Sequence, residues 1–126
     1  MTGRVVHFEI PFDDAERARG FYKELFGWQV QHMPEMDYTL VTTGPGGEQG
    51  PTEAGFINGG MLSRDQAATP GPVIVVDVDS IDESLAKIGT LGGSTVVGKT
   101  PVGDMGFAAY FTDPEGNVVG LWETAG

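Results

Sequence analysis

The second half of this chain repeats the first. Shifted back by 66 positions, Val73 falls on His7, Val78 on Phe12, Ser80 on Asp14, Ser84 on Ala18, Leu91 on Leu25 and Gly93 on Gly27. Each half reads as strand, helix, then three strands. A four-stranded unit with one helix leaves a sheet face uncovered. Two such units can cover it by closing their sheets around a shared groove, within one chain or between two. The expected class is α+β: two tandem βαβββ modules, at 4–62 and 72–124 around a linker at 63–71, with helices outside a U-shaped or barrel-like sheet.

Local signals place the elements. Arg4 to Pro11 reads as the first strand. Asp13 with Glu16 fits a capping box that opens a helix. Ala15, Ala18, Phe21, Tyr22, Leu25 and Phe26 recur at helical spacing and predict a buried stripe, with Phe21, Tyr22 and Phe26 in the core. Gly27 suits a left-handed cap. Strands are expected at 28–33 and 38–43, with a turn at 34–37. GPGGEQGPTEAG is a loop by composition, and a short strand over 54–58 is interrupted at Asn58-Gly59-Gly60. In the second half, Val73 to Val78 is a strand, Ser80 caps a helix, Gly92-Gly93 stops it, and 94–98 is a strand. The chain closes on FAAYFTDPEGNVVGLWE, a hairpin of two apolar strands about an Asp113-Pro114-Glu115-Gly116-Asn117 turn.

That hairpin, taken with the repeat, resembles the vicinal oxygen chelate superfamily, the glyoxalase and bleomycin-resistance fold. The resemblance covers essentially the whole chain. It implies a metal site with one ligand from the first and last strand of each half. At the matching positions stand His7, Asn58, Val73 and Gly120. His7 is a good ligand, Asn58 offers a neutral amide oxygen, and the other two have no ligating side chain. A catalytic divalent metal normally takes three protein ligands. The expectation is therefore no cofactor and no metal at the family position.

Strand parity nominates the groove residues. The helix needs an apolar partner, so Val6, Phe8 and Ile10 pack beneath it. His7 and Glu9 then face the groove, with Asp77, Phe56, Asn58, Tyr110 and Trp122 at related positions, and His32 and Tyr38 at its mouth. His32 could equally be a surface histidine beside the Pro34 turn. The aromatics could be packing rather than a stacking wall. His7 and Glu9, about 7 Å apart at two residues of strand rise, are the candidate catalytic pair, with Glu9 or Asp77 orienting His7 as a general base.

Composition narrows the classes. The formal charge is −11, from 18 acids and 7 bases, so the surface repels phosphates and nucleic acid is not an expected partner. There are no cysteines, which removes disulfides, thiol nucleophiles and cysteine-type zinc sites. No run is long and apolar enough for a bilayer, and the N-terminus lacks a signal-peptide pattern. A cytoplasmic protein without a membrane partner is the default. No nucleophile elbow, P-loop or dinucleotide fingerprint is present.

Two functions follow. One is a metal-free binder of a small apolar or aromatic molecule, in the manner of bleomycin-resistance relatives. The other is a lyase- or dioxygenase-type enzyme with a rebuilt site around His7, Glu9 and Asp77. The resemblance also implies a homodimer.

Overall fold

The computed structural model describes residues 3–34, 37–47 and 50–126. They divide into two compact units, His7–Pro72 and a second made of residues 3–6 with Val73–Gly126. The two units share one topology. In the first, β1 (Val5–Phe12), α1 (Ala15–Phe26), β2 (Gln29–Met33), β3 (Tyr38–Thr42) and β6 (Asn58–Ser63) give the strand order β2-β3-β6-β1, with β6 parallel to β1. In the second, β7 (Val73–Asp77), α2 (Ile81–Thr90), β8 (Ser94–Val102), β9 (Gly106–Thr112) and β10 (Val118–Thr124) give β8-β9-β10-β7, with β10 parallel to β7. The N-terminal segment adds to β7, where the Asp77 N–H donates to Arg4 O at 2.8 Å. The class is α+β. None of the helices among the described residues is long and apolar enough to cross a membrane.

The second unit is built as its pattern predicts, except that β8 runs on past the expected 94–98 to Val102. Ser80 caps α2 by accepting from Glu83 N at 3.1 Å. Ile81, fully buried, meets Ala109 and Leu121, with Leu85, Ile88, Phe107 and Phe111 packed around them. Glu123 on β10 closes the helix start, its Oε1 accepting from Ile81 N at 2.8 Å. That bond, opposed by burial and aided by Lys99, holds the Glu123 carboxyl below its usual range. The closing hairpin turn is pinned by Asp113, whose Oδ1 accepts from Glu115 N and Asn117 N at 2.9 Å each. Gly116 supplies the positive φ, 84°.

The first unit departs from expectation in three places. The helix cap is Asp14, not Asp13: Asp14 Oδ1 accepts from Arg17 N at 3.0 Å, while the Asp13 carboxylate pairs with Arg64 at 2.6 Å. The expected strand at 54–58 starts at Asn58 instead, and Gly59-Gly60 lies inside it. Segment 44–55 holds a small ribbon, β4 (Gly46–Gly47) against β5 (Gly50–Pro51), while 48 and 49 lie outside the described residues. So does part of the turn expected at 34–37.

The third departure concerns α1. None of its residues, all described, is buried, and Phe21, Leu25 and Phe26 are each 58% exposed. The repeat explains this. The residues that dock α2, Ile81, Leu85 and Ile88, correspond to Ala15, Arg19 and Tyr22 in α1. A methyl and a guanidinium replace two branched side chains. Arg19 cannot enter a core unpaired, and it donates to the buried Thr39 Oγ1 at 2.9 Å. Tyr22 holds α1 to the sheet by stacking on Trp28 at 5.1 Å, and Trp28 in turn meets Phe8 at 5.7 Å.

Candidate functional site

Alternation along β1 separates two faces. Phe8 points toward Trp28 and the helix. His7 and Glu9 point the other way, where both reach Tyr38 of β3. The His7 Nε2 and the Tyr38 hydroxyl oxygen are 2.8 Å apart, and that hydroxyl donates to Glu9 Oε2 at 3.3 Å. The His7 and Tyr38 rings lie 6.4 Å apart and nearly parallel, at 20°.

Tyr38 reaches this position because of Gly60. In the β3–β6 register Thr39 sits opposite Met61, so Gly60 is the diagonal neighbour of Tyr38 on the same face. A Cβ on Gly60 would fall on the Tyr38 hydroxyl and ring. On the opposite face, a Cβ on Gly59 would lie 2.5 Å from the Phe8 ring. The two glycines are therefore slots for rings from the flanking strands, one on each face.

The other expected site residues divide into those brought together and those kept apart. Asn58 stands beside His7 in the parallel ladder, but its Oδ1 accepts from Thr43 N at 2.9 Å. Phe56 precedes β6 and lies against Gly44, 2.8 Å from where a Cβ would be, rather than in the His7 group. His32 is exposed and pairs in register with Thr39, which bonds Arg19 of α1. His32 is thus on the helix face, and Tyr38 is on the other. In the second unit, Asp77 pairs in register with Trp122, and Tyr110 lies beside Gly120, whose Cβ would be 3.2 Å from its ring. These three share the face opposite α2, since Leu121 and Ala109 face the helix core.

Protonation follows from this geometry. Burial holds the His7 imidazole below 6.5, because desolvation penalises the cation. His7 is neutral near neutrality. The Tyr38 hydroxyl has one proton. With that proton on Glu9, His7 Nε2 must be the donor, which leaves its Nδ1 lone pair as a base. The chain Glu9–Tyr38–His7 can therefore relay a proton without a charged imidazole in the resting state.

A stability effect accompanies the shift. The folded-state value lies below 6.5, so as pH falls the unfolded chain takes up the proton first. The stability due to His7 is complete above 6.5 and is lost as pH falls below it. A His7→Gln variant should show a flatter fall of Tm across that window than the parent. A parent with no fall there would contradict the burial of a neutral His7.

The superfamily's metal positions fit a cation poorly. Of His7, Asn58, Val73 and Gly120, two lack ligating atoms, His7 Nε2 is bonded to Tyr38, and the Asn58 oxygen accepts from Thr43 N. Within either unit, the described residues hold no group of three His, Cys, Asp or Glu side chains able to hold a metal ion.

Comparison with known proteins places the chain. Residues 4–44 match the family described as bleomycin resistance protein-like N-terminal. A Vibrio parahaemolyticus protein named as a lactoylglutathione lyase is 30% identical over 125 residues, covering 95% of this chain and 90% of its own. This chain belongs to the vicinal oxygen chelate superfamily. Within that superfamily it is glyoxalase- and bleomycin-resistance-like. A Mycobacterium bovis protein named as a glyoxylase, CFP32, is 30% identical over 118 residues; the chain spans 41% of that relative's length. Among solved structures, a Streptomyces coelicolor methylmalonyl-CoA epimerase variant shares the fold, with a TM-score of 0.66 at 17% identity over 100% of both chains.

Sequence reasoning missed Gly60. Its signal was the double glycine itself, which marks a close approach as readily as a break.

Proposed function

We propose that this protein binds a small apolar or aromatic molecule without the superfamily's metal, holding it at the face of the first unit where His7, Tyr38 and Glu9 are bonded in series. The observation that carries this reading is the 2.8 Å contact between His7 Nε2 and the Tyr38 hydroxyl. It engages Nε2 of His7, the residue that is the one good ligand among the four family positions. A neutral imidazole beside a phenol and a carboxylate can direct a ligand carbonyl or hydroxyl by hydrogen bonds, with apolar surface supplying affinity.

Metal analysis of the purified protein, run beside a thermal-shift ligand screen, tests this. The expected result is far less than one bound transition metal per chain, with at least one aromatic compound raising Tm. Tyr38→Phe should weaken that compound by about tenfold, the worth of one hydrogen bond. Stoichiometric, tightly held Zn, Ni, Mn or Fe overturns the reading.

A second reading rests on the same triad. The His7–Tyr38–Glu9 relay suits removal of a proton from carbon next to a carbonyl, as a metal-independent acid–base enzyme would do. Solvent deuterium would then enter the bound ligand at that carbon, and His7→Gln would stop it. Binding with no exchange leaves the first reading alone.

A further inference from the structure

The chain is acidic, yet two of its four arginines meet at one cleft. It has a volume of about 380 Å³ and lies where the end of β1 meets the start of α1. Its apolar walls include Phe12, Ala18 and Phe21, and its charged groups are Arg17, Arg64, Asp13 and Asp14. It is an open depression rather than an enclosed cavity.

The two arginines and two aspartates of this cleft sum to zero charge, but only Arg64 and Asp13 are paired with each other. Asp13 is taken by Arg64 at 2.6 Å, and Asp14 by the Arg17 backbone N–H at 3.0 Å. Arg64 is fixed further, its Nε donating to Pro70 O at 3.1 Å and its backbone N–H to Phe12 O at 2.8 Å. Among the described residues the Arg17 guanidinium has no hydrogen bond or ion pair. Beside it, Phe21 is 58% exposed.

The repeat supplies an internal control. The positions of Arg17 and Phe21 are Glu83 and Lys87 in α2. The scaffold thus forms the same helix start without a guanidinium or an aromatic wall. Neither residue is required by the fold, and together they present a cation next to a ring.

We propose that this cleft is a second binding site, for a small apolar carboxylate. Phe12 and Phe21 take the apolar body. Arg17 pairs with the carboxylate, and Arg64, held by Asp13 and Pro70, sets the floor against which it seats. A guanidinium matches a carboxylate in shape, with two parallel N–H donors. The nearest opposing charges are the lining carboxylates, Asp13, paired with Arg64, and Asp14; the rest of the net charge of −11 is screened beyond roughly 8 Å at physiological salt. This site does not depend on the function proposed for His7.

The test is an NMR titration of the isotope-labelled protein with phenylacetate and, separately, with its neutral amide, phenylacetamide. Phenylacetate should shift the resonances of Arg17 and Phe21, and phenylacetamide should bind at least about tenfold more weakly. Arg17→Gln should lower phenylacetate affinity by a similar factor and bring it to that of the amide. Phe21→Ala should weaken both probes. The proposal is overturned if millimolar phenylacetate leaves Arg17 and Phe21 unshifted. Equal binding of the two probes, or an Arg17→Gln variant with parental affinity, also overturns it.

Discussion

Replacing Gly60 with alanine should expel Tyr38 from its place and open the His7 site. The added methyl occupies the volume of the Tyr38 ring and hydroxyl. Gly60 is buried in β6 and pinned between β1 and β3 by its ladder partners Glu9 and Leu40. The backbone therefore has little room to retreat, and the tyrosine must rotate away. The contact with His7 at 2.8 Å and the bond to Glu9 at 3.3 Å are lost with it. Overpacking of this kind costs about 1–3 kcal/mol, readable by urea denaturation.

The same substitution should change the titration of His7. Burial is what lowers the imidazole below 6.5. With the Tyr38 ring gone, water reaches His7 and its value should rise toward 6.5. Gly59→Ala is the matched control. It collides with Phe8 on the opposite face, so it should cost comparable stability and leave the His7 titration where it was. If both variants move His7 alike, the two glycines do not serve separate faces.

What the sequence made legible was local or repeated. Asp113 and Gly116 dictate their own turn, because the bonds they make lie within five residues. Gly27 and Ser80 mark helix ends for the same reason, as αL cap and N-cap. The repeat carried topology, since two copies of one strand order are stronger evidence than either alone. Parity on β1 placed His7 and Glu9 on one face and Phe8 on the other. What stayed hidden was non-local. Helical periodicity groups Phe21, Leu25 and Phe26 on one side, but it cannot say whether a sheet reaches them. Nor does a double glycine announce that it is a slot for Tyr38 and Phe8, because those rings come from strands far away in sequence. His32 and Tyr38 flank one turn, so the sequence suggested that they act together; the register from Thr39 puts them on opposite faces.

The two helices should respond very differently to truncation. Ile81→Ala should cost about 2–5 kcal/mol, the range for deleting a buried branched side chain. Ile81 has no exposed surface and packs against Ala109 and Leu121, with Val76, Val78 and Phe111 next to them. Its backbone N–H stays bonded to Glu123, so the loss is one of packing rather than of the helix cap. Phe21→Ala removes a larger side chain from α1, yet should cost under about 1 kcal/mol, as exposed positions do. Phe21 is 58% exposed and touches Tyr22 edge-on at 5.1 Å. Two chemical denaturation curves, one per variant, measure the contrast. If Phe21→Ala proves as damaging as Ile81→Ala, then α1 is covered in solution and the aromatic surface beside the Arg17 cleft is not open to a ligand. If the costs differ as stated, the repeat keeps one helix for stability and leaves the other with its apolar side chains exposed.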